Sequence, residues 1–90
     1  MDIVVDNQAN DAFELMVDGH RAFAAYRLEG DTITFTHTVV RKAIAGRGVA
    51  RTLIRAALDS ARDRGLKVIA QCSFVAAYIK RHPDTPDLLA

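Results

Sequence analysis

Residues 45–50, AGRGVA, set two glycines around an arginine. Gly46 and Gly48 leave no Cβ between the backbone N–H groups and an approaching phosphate. Arg41, Lys42, Arg47 and Arg51 surround the pair and can neutralise a pyrophosphate. The same glycines equally permit a tight turn without a ligand, because G-x-G alone is a weak signal. Cys72, the single cysteine, precedes a helix expected to be capped by Ser73; a helix start lowers a thiol pKa, which makes Cys72 a candidate nucleophile. The alternative is a small buried hydrophobe. His37 can exchange a proton near neutral pH, although Phe35 and Val39 put it on a predicted core face, where a hydrogen-bonded structural histidine is the alternative. His82 falls where a cation stabilises a helix end, and His20 falls in a turn. These histidines and Cys72 lack the spacing of zinc ligands, so no metal site is expected. Neither G-x-x-x-x-G-K-[ST] nor G-x-G-x-x-G is present, since position 51 is Arg, and nucleoside triphosphatase and dinucleotide dehydrogenase readings lack support.

Positioning these groups requires a strand that turns into a helix at the glycines. Thr32 to Val40 is rich in β-branched residues, with Ile33, Phe35, His37 and Val39 on one face and the threonines 32, 34, 36 and 38 on the other. From Val49 the period changes: Val49, Leu53, Ile54, Ala57, Leu58 and Ala61 share one helical face, opposed by Arg51, Arg55, Asp59, Arg62 and Asp63. Gly65 stops that helix after about 15 residues. Upstream, Phe13, Leu15 and Val17 alternate with Glu14, Met16 and Asp18, and the pattern breaks at Asp18-Gly19, a hairpin pair. A second strand over 21–29 puts Ala22, Ala24, Tyr26 and Leu28 on one face and Phe23, Ala25 and Arg27 on the other. Ile3 to Val5 adds a short edge strand. Lys67 to Gln71 reads as a short, largely buried strand, and a second helix from Ser73 through Arg81 ends before Pro83. The tail HPDTPDLLA forms an ordered turn that docks Leu88-Leu89. Strand, helix, strand makes a right-handed parallel crossover after three antiparallel strands.

The chain has 90 residues, half of them hydrophobic, which bounds it to a single domain spanning 1–90. A domain of this size buries about 60% of its unfolded surface, so it acts as a monomer or gains from forming a homodimer. Twelve Lys plus Arg against eleven Asp plus Glu leave a net charge of +1, which argues against a nucleic-acid partner. Arg41, Lys42, Arg47, Arg51 and Arg55 nevertheless follow one another with no acid between them, so a local anion site is expected. No stretch approaches the ~20 apolar residues of a membrane span. The acidic start MDIVVDNQ lacks the features of a secretory signal, and the expectation is a cytoplasmic protein away from membranes.

The segment HTVVRKAIAGRGVARTLIRAALDSARDRGLKV, continued by CSFVAAYIKRHPD, resembles the core of a GNAT-type N-acetyltransferase, in the short single-domain branch of that superfamily. The resemblance runs from about Phe13 to Leu89. It implies an α/β fold: a GNAT-like mixed, mainly antiparallel sheet of four to five strands, a long helix after the glycine turn and a second C-terminal helix. It also implies binding of acetyl-coenzyme A. The pyrophosphate would lie on Ile44, Ala45, Gly46, Arg47, Gly48, Val49 and Ala50, with Arg41 beside them. The pantetheine arm would follow Thr38, Val39 and Val40 into a gap between splayed strands. The acetyl group would pass to an amine of a small molecule or a protein. Cys72 would then lie at the reaction centre, as an acyl acceptor or as a contact to the coenzyme sulfur. Tyr78 matches the place of a tyrosine that protonates the departing thiolate; a core aromatic sharing the helix face of Phe74 is the alternative. Ala43 stands where the family usually has Gln or Arg, a contact that Arg41 or Lys42 can replace. Val39 stands where the short branch commonly has Glu, and Thr85 where it often has Tyr. The paired helices that wall the acceptor pocket in ordinary members are missing. A non-catalytic coenzyme A-binding regulatory module and a structural protein-interaction domain are the competing readings.

Overall fold

Alternating side chains across three hairpin-connected segments produce the sheet on which the rest of the molecule is built. The computed structural model describes residues 3–83 and 85–90; Met1, Asp2 and Asp84, the last in the expected tail turn, lie outside the described residues. The elements are β1 (Val4–Asn7), β2 (Ala12–Val17), β3 (His20–Glu29), β4 (Thr32–Val39), α1 (Val49–Asp63), β5 (Lys67–Ala70) and α2 (Ser73–Arg81). The strands lie side by side in chain order, β1 to β4 antiparallel and β5 parallel to β4. This is the expected mixed α/β sheet. Asp18 and Gly19 both have positive φ, 49° and 78°, the conformation that suits a two-residue hairpin between twisted strands.

One face of the sheet carries the core. Phe13, Leu15 and Val17 of β2 and Ala22, Ala24 and Tyr26 of β3 are buried against Leu53, Ile54, Ala57, Leu58 and Ala61 of α1. Val75 and Ile79 of α2 join the same cluster. Each such large side chain contributes about 1.5–3 kcal/mol on burial. A polar link closes the end remote from the glycine turn: the Tyr26 hydroxyl donates to Asp6 at 2.7 Å and Arg64 pairs with Asp6 at 3.5 Å. Burial, reinforced by that bond to Asp6, pushes the Tyr26 phenol well above its usual range. The tail docks through Leu88 and its backbone, while the Leu89 side chain, expected to dock as well, is 42% exposed. Leu88 is buried, Leu89 bridges to Val68, and Ala90 N–H donates to the Val68 carbonyl at 2.9 Å.

Several expectations need correction. The edge strand is Val4–Asn7 rather than 3–5, and His20 opens β3 instead of sitting in the turn. β5 ends at Ala70 and is only half buried: Val68 is inside while Lys67 and Ile69 face solvent. Cys72, not Ser73, occupies the N-cap position of α2, and it makes no side-chain capping bond. Phe74 is 47% exposed and is no core residue.

The largest correction concerns β4. Its pairing with β3 passes from Tyr26↔Phe35 to Ala25↔His37 and skips Thr36. This extra residue is a β-bulge, and it reverses the inward and outward phase beyond it. Ile33 and Phe35 are therefore fully buried, but His37 and Val39 face outward and Thr38 turns in. The alternation, read without the bulge, put His37 and Val39 on the core face and Thr38 on the other.

Candidate functional site

The bulge coincides with the place where two neighbouring strands part. The β4–β5 ladder ends at Phe35↔Ala70, whereas β4 runs on to Val39. There the N–H groups of Gln71 and Cys72 both donate to the Phe35 carbonyl, each at 3.1 Å. The chain thus leaves the sheet at Cys72 and turns into α2, opening a wedge beside residues 36–39. Inside the wedge the buried Cys72 thiol donates to Thr38 Oγ1 at 3.2 Å. Two residues selected from the sequence for different reasons are thereby in contact.

His37 stands on the opposite, outward face. The Thr36 hydroxyl donates to the Ala25 carbonyl at 3.3 Å, so at its 3.2 Å contact with His37 Nδ1 it accepts. That assigns the ring proton to Nδ1 and leaves Nε2 as the basic nitrogen. The ring meets Phe23 edge-on at 5.9 Å. His37 and Cys72 do not form a nucleophile–base pair, because the strand separates their side chains.

At the end of β4 the glycine turn takes the predicted position. A single 3-10 turn, Lys42–Ile44, precedes it, and Ile44 is fully buried, which anchors the loop to the core. Gly46 and Gly48 have φ of +82° and +72°, a region L-residues adopt only at a cost. A Cβ on Gly46 would meet nothing within 4 Å, so backbone conformation and not crowding calls for glycine there. Gly48 is the N-cap of α1, and the helix has neither a side-chain cap nor an acid in its first turn. Its first N–H groups are therefore open to an anion. Val40, Ala45, Gly46, Val49, Ala50 and Arg51 meet Phe74 in a cleft of about 200 Å³ over this helix start.

The cations around the turn divide. Arg47, expected at the phosphates, pairs with Asp18 of the β2–β3 turn. That guanidinium holds the Asp18 carboxyl below the usual carboxylate range. Arg41, Lys42, Arg51 and Arg55 make no ion pair among the described residues. Tyr78 lies away from the wedge, between α1 and α2. Its ring stacks on His82 at 3.8 Å and 10°, while His82 Nδ1 donates to the Tyr78 carbonyl at 2.8 Å. Thr85 is buried and donates to the carbonyls of Ile79 and His82, at 3.3 and 2.6 Å. Phe74 is the cleft residue missed from sequence; its position four residues before Tyr78 on α2 is the signal that could have found it.

Residues 12–88 match the family model of the GCN5-related N-acetyl-transferases. The chain belongs to this family. Protein NATD1 of Xenopus tropicalis is 36% identical over 64 residues, which cover 70% of this chain and 59% of that protein. The human Protein NATD1 is 38% identical over the same length, covering 70% and 57%. The chain thus spans less than two-thirds of the length of these curated relatives. The solution structure of a GCN5-like protein from Staphylococcus aureus, put forward as an N-acetyltransferase, superimposes with a TM-score of 0.75 at 26% identity. That match covers 98% of this chain and 87% of the other, so the mixed five-stranded sheet with two helices is the GCN5-related architecture. Among the described residues no helix is long and apolar enough to cross a membrane.

Proposed function

We propose that this GCN5-related domain binds acetyl-coenzyme A and transfers the acetyl group to a primary amine. The observation that carries the reading is the adjacency of the β4–β5 wedge to an uncapped helix start with no acid in its first turn. The residues present fit the coenzyme. Gly46 leaves open space at the phosphate approach, and the N–H groups of residues 45–50 with Arg51 suit a pyrophosphate. Arg41 and Lys42 lie exposed beside the turn, in place of the Gln or Arg that position 43 lacks. The backbone of Thr38, Val39 and Val40, at the end of β4 and just beyond it, would flank the pantetheine arm, with Thr38 alone turned into the wedge. Acetyl-coenzyme A supplies the activated acetyl thioester.

The chain's own groups then divide the remaining work. His37, turned outward by the bulge, would take the proton of an amine approaching from the open face through Nε2. Cys72 and Thr38 would line the wedge where the thioester lies; Tyr78, stacked on His82 away from the wedge, would reach the departing thiolate only if α2 carried its ring towards β4. Transfer to the amine, directly or by way of the Cys72 thiol, remains one reaction class: acyl transfer to nitrogen. The cytoplasmic setting and a monomer or homodimer belong to the same proposal.

Calorimetric titration of acetyl-coenzyme A into the protein, followed by an acetylation screen of small amines and peptide amines, tests it. Saturable binding with turnover is expected. Absence of binding would overturn the reading and leave an interaction domain with this architecture. Val39, standing where a carboxylate base is common, favours a second reading as a coenzyme-sensing module. Tight binding without turnover on any amine would select that reading.

A further inference from the structure

The sheet covers one of its two edges and leaves the other bare. At the β5 edge the tail takes up free backbone groups: Leu89 bridges to Val68, and Ala90 N–H donates to the Val68 carbonyl. β1 stands at the opposite edge, and among the described residues no backbone hydrogen bond outside its ladder with β2 involves residues 3–7. Such an edge offers a row of unmet N–H and C=O groups to another strand. The usual deterrents are missing from it. Residues 3–7, IVVDN, contain no proline, lysine or arginine, and β1 pairs with β2 in unbroken register, without a bulge. Its single charge, Asp6, is taken up on the core side by the Tyr26 hydroxyl and Arg64.

The outer face beside this edge is apolar as well. Ile3, Val5 and Met16 are 68%, 54% and 56% exposed, and with Glu14 they line a shallow depression of about 350 Å³. Their exposed side chains amount to about 300 Å², comparable to the largest apolar patch of an ordinary monomer. Glu14 brings no free charge to it, since Arg21 and Asn7 hold the carboxylate.

We propose that β1 pairs antiparallel with β1 of a second copy, so that two five-stranded sheets join into one of ten strands. The edge is complementary to itself. Opposed residues of an antiparallel pair share a face, and a two-fold axis at Val5 satisfies that rule over the whole segment 3–7. Val5 then opposes its own counterpart, Ile3 opposes Asn7 of the second copy, and Val4 opposes Asp6. An axis at Asp6 would instead set two carboxylates face to face, which is destabilising. Met16, one strand in, covers the Val5 pair from β2. A join of this length with these side chains over it buries roughly 1,000 Å² in total, the low end of specific interfaces, so the dimer is reversible rather than obligate. β1 lies three strands from β4, about 14 Å at ~4.8 Å per strand. His37 and the wedge therefore stay open in both copies, and the proposal stands with or without the coenzyme reading.

Sedimentation velocity from about 10 μM to about 1 mM protein measures the association, on wild type, Val5→Lys, Met16→Lys and the control Ile69→Lys. All three positions are more than two-fifths exposed, and thermal melts check that each variant is folded. Ile69 is an exposed apolar residue on β5, far from the join. Expected is a wild-type dimer in the micromolar to millimolar range, weakened at least tenfold by Val5→Lys, where two like charges meet at the axis, and several-fold by Met16→Lys. Ile69→Lys should stay within about two-fold of wild type. Amide shifts of the labelled wild-type protein, followed over the same concentrations, supply a readout that needs no variant. They should move at residues 3–7 and 14–16, and a mixture of labelled and unlabelled protein should show contacts between the two Val5 residues. A wild-type protein that stays monomeric at the highest concentration would overturn the proposal. So would a dimer indifferent to Val5→Lys, or concentration-dependent shifts centred on α1, α2 or β5.

Discussion

Replacing Gly46 by alanine and by glutamate separates what the turn needs from what a ligand needs. At φ +82° a Cβ costs about 1–2 kcal/mol of backbone energy. Because that Cβ would meet nothing within 4 Å, alanine and glutamate should destabilise the fold by nearly the same amount. For a chain of this size 1 kcal/mol lowers Tm by about 4–8 °C. Binding should behave differently. A carboxylate held about 5 Å from a pyrophosphate, in an effective dielectric between about 20 and 80, repels each charge by about 1–3 kcal/mol. This raises Kd by roughly five-fold to more than a hundred-fold for glutamate, while alanine changes it little. Gly30 provides the control: its φ is +60°, a Cβ there is also unobstructed, and it lies at the far end of β4, about 25 Å away at ~3.3 Å per residue. Gly30→Glu should therefore lower Tm like the Gly46 variants and leave coenzyme affinity intact. Thermal melts and calorimetry on all the variants decide the matter. Wild-type affinity in Gly46→Glu, with Tm reduced, would refute the phosphate role and reduce the glycines to a turn.

Other consequences can be tested in the same protein. Asp18 competes with any phosphate for Arg47, so Asp18→Asn should tighten coenzyme binding about two- to five-fold at low salt; titrations at low and high ionic strength should show the gain fading as salt screens the exposed pair. Cys72→Ala should reduce acetyl transfer while coenzyme binding stays within about two-fold, since the thiol lines the wedge but not the phosphate turn; retained turnover would return Cys72 to a packing role. Glu14 is held below its ordinary range, chiefly by hydrogen bonds from Arg21 and then from Asn7. Its folded value is depressed, so its contribution to stability is complete above the unfolded glutamate pKa and is lost as pH falls through the folded value. Glu14→Gln should therefore lower Tm at neutral pH, with the difference closing in melts below about pH 4.

Much of the framework was legible in the sequence because burial and period agree there. The α1 stripe from Val49 to Ala61 is buried at each of its six predicted positions. The β3 alternation matches as far as Tyr26, with Ala22, Ala24 and Tyr26 inside, whereas Leu28, predicted on the same face, is exposed near the end of the strand. Side-chain partners were not legible. Nothing local indicates that Arg47 will meet Asp18, 29 positions away; the spacing of Tyr78 and His82 by about one helical turn puts them on one face but does not dictate that the rings stack. Where the sequence left the glycine turn open between a phosphate cradle and a bare bend, the uncapped start of α1 and the space over Gly46 favour the cradle.

The bulge at Thr36 explains both the error and the site. A single inserted residue leaves no trace in composition or propensity, since Thr36 suits a strand as well as its neighbours do. Its effect is a half-turn of every side chain beyond it. Without the bulge, His37 would be driven into a core already filled by Phe13, Tyr26 and Phe35, whose rings lie 5.4 to 6.5 Å apart, and Thr38 would point away from Cys72. With it, the basic nitrogen of the imidazole faces the open side of the sheet, and the threonine hydroxyl faces the thiol in the wedge. The added local twist also bends β4 where β5 leaves it, so the parting of the strands and the reversal of side chains share one cause. A residue that interrupts the pattern is thus what converts the last part of a core strand into a two-sided lining, with the His37 imidazole on one face and the wedge on the other.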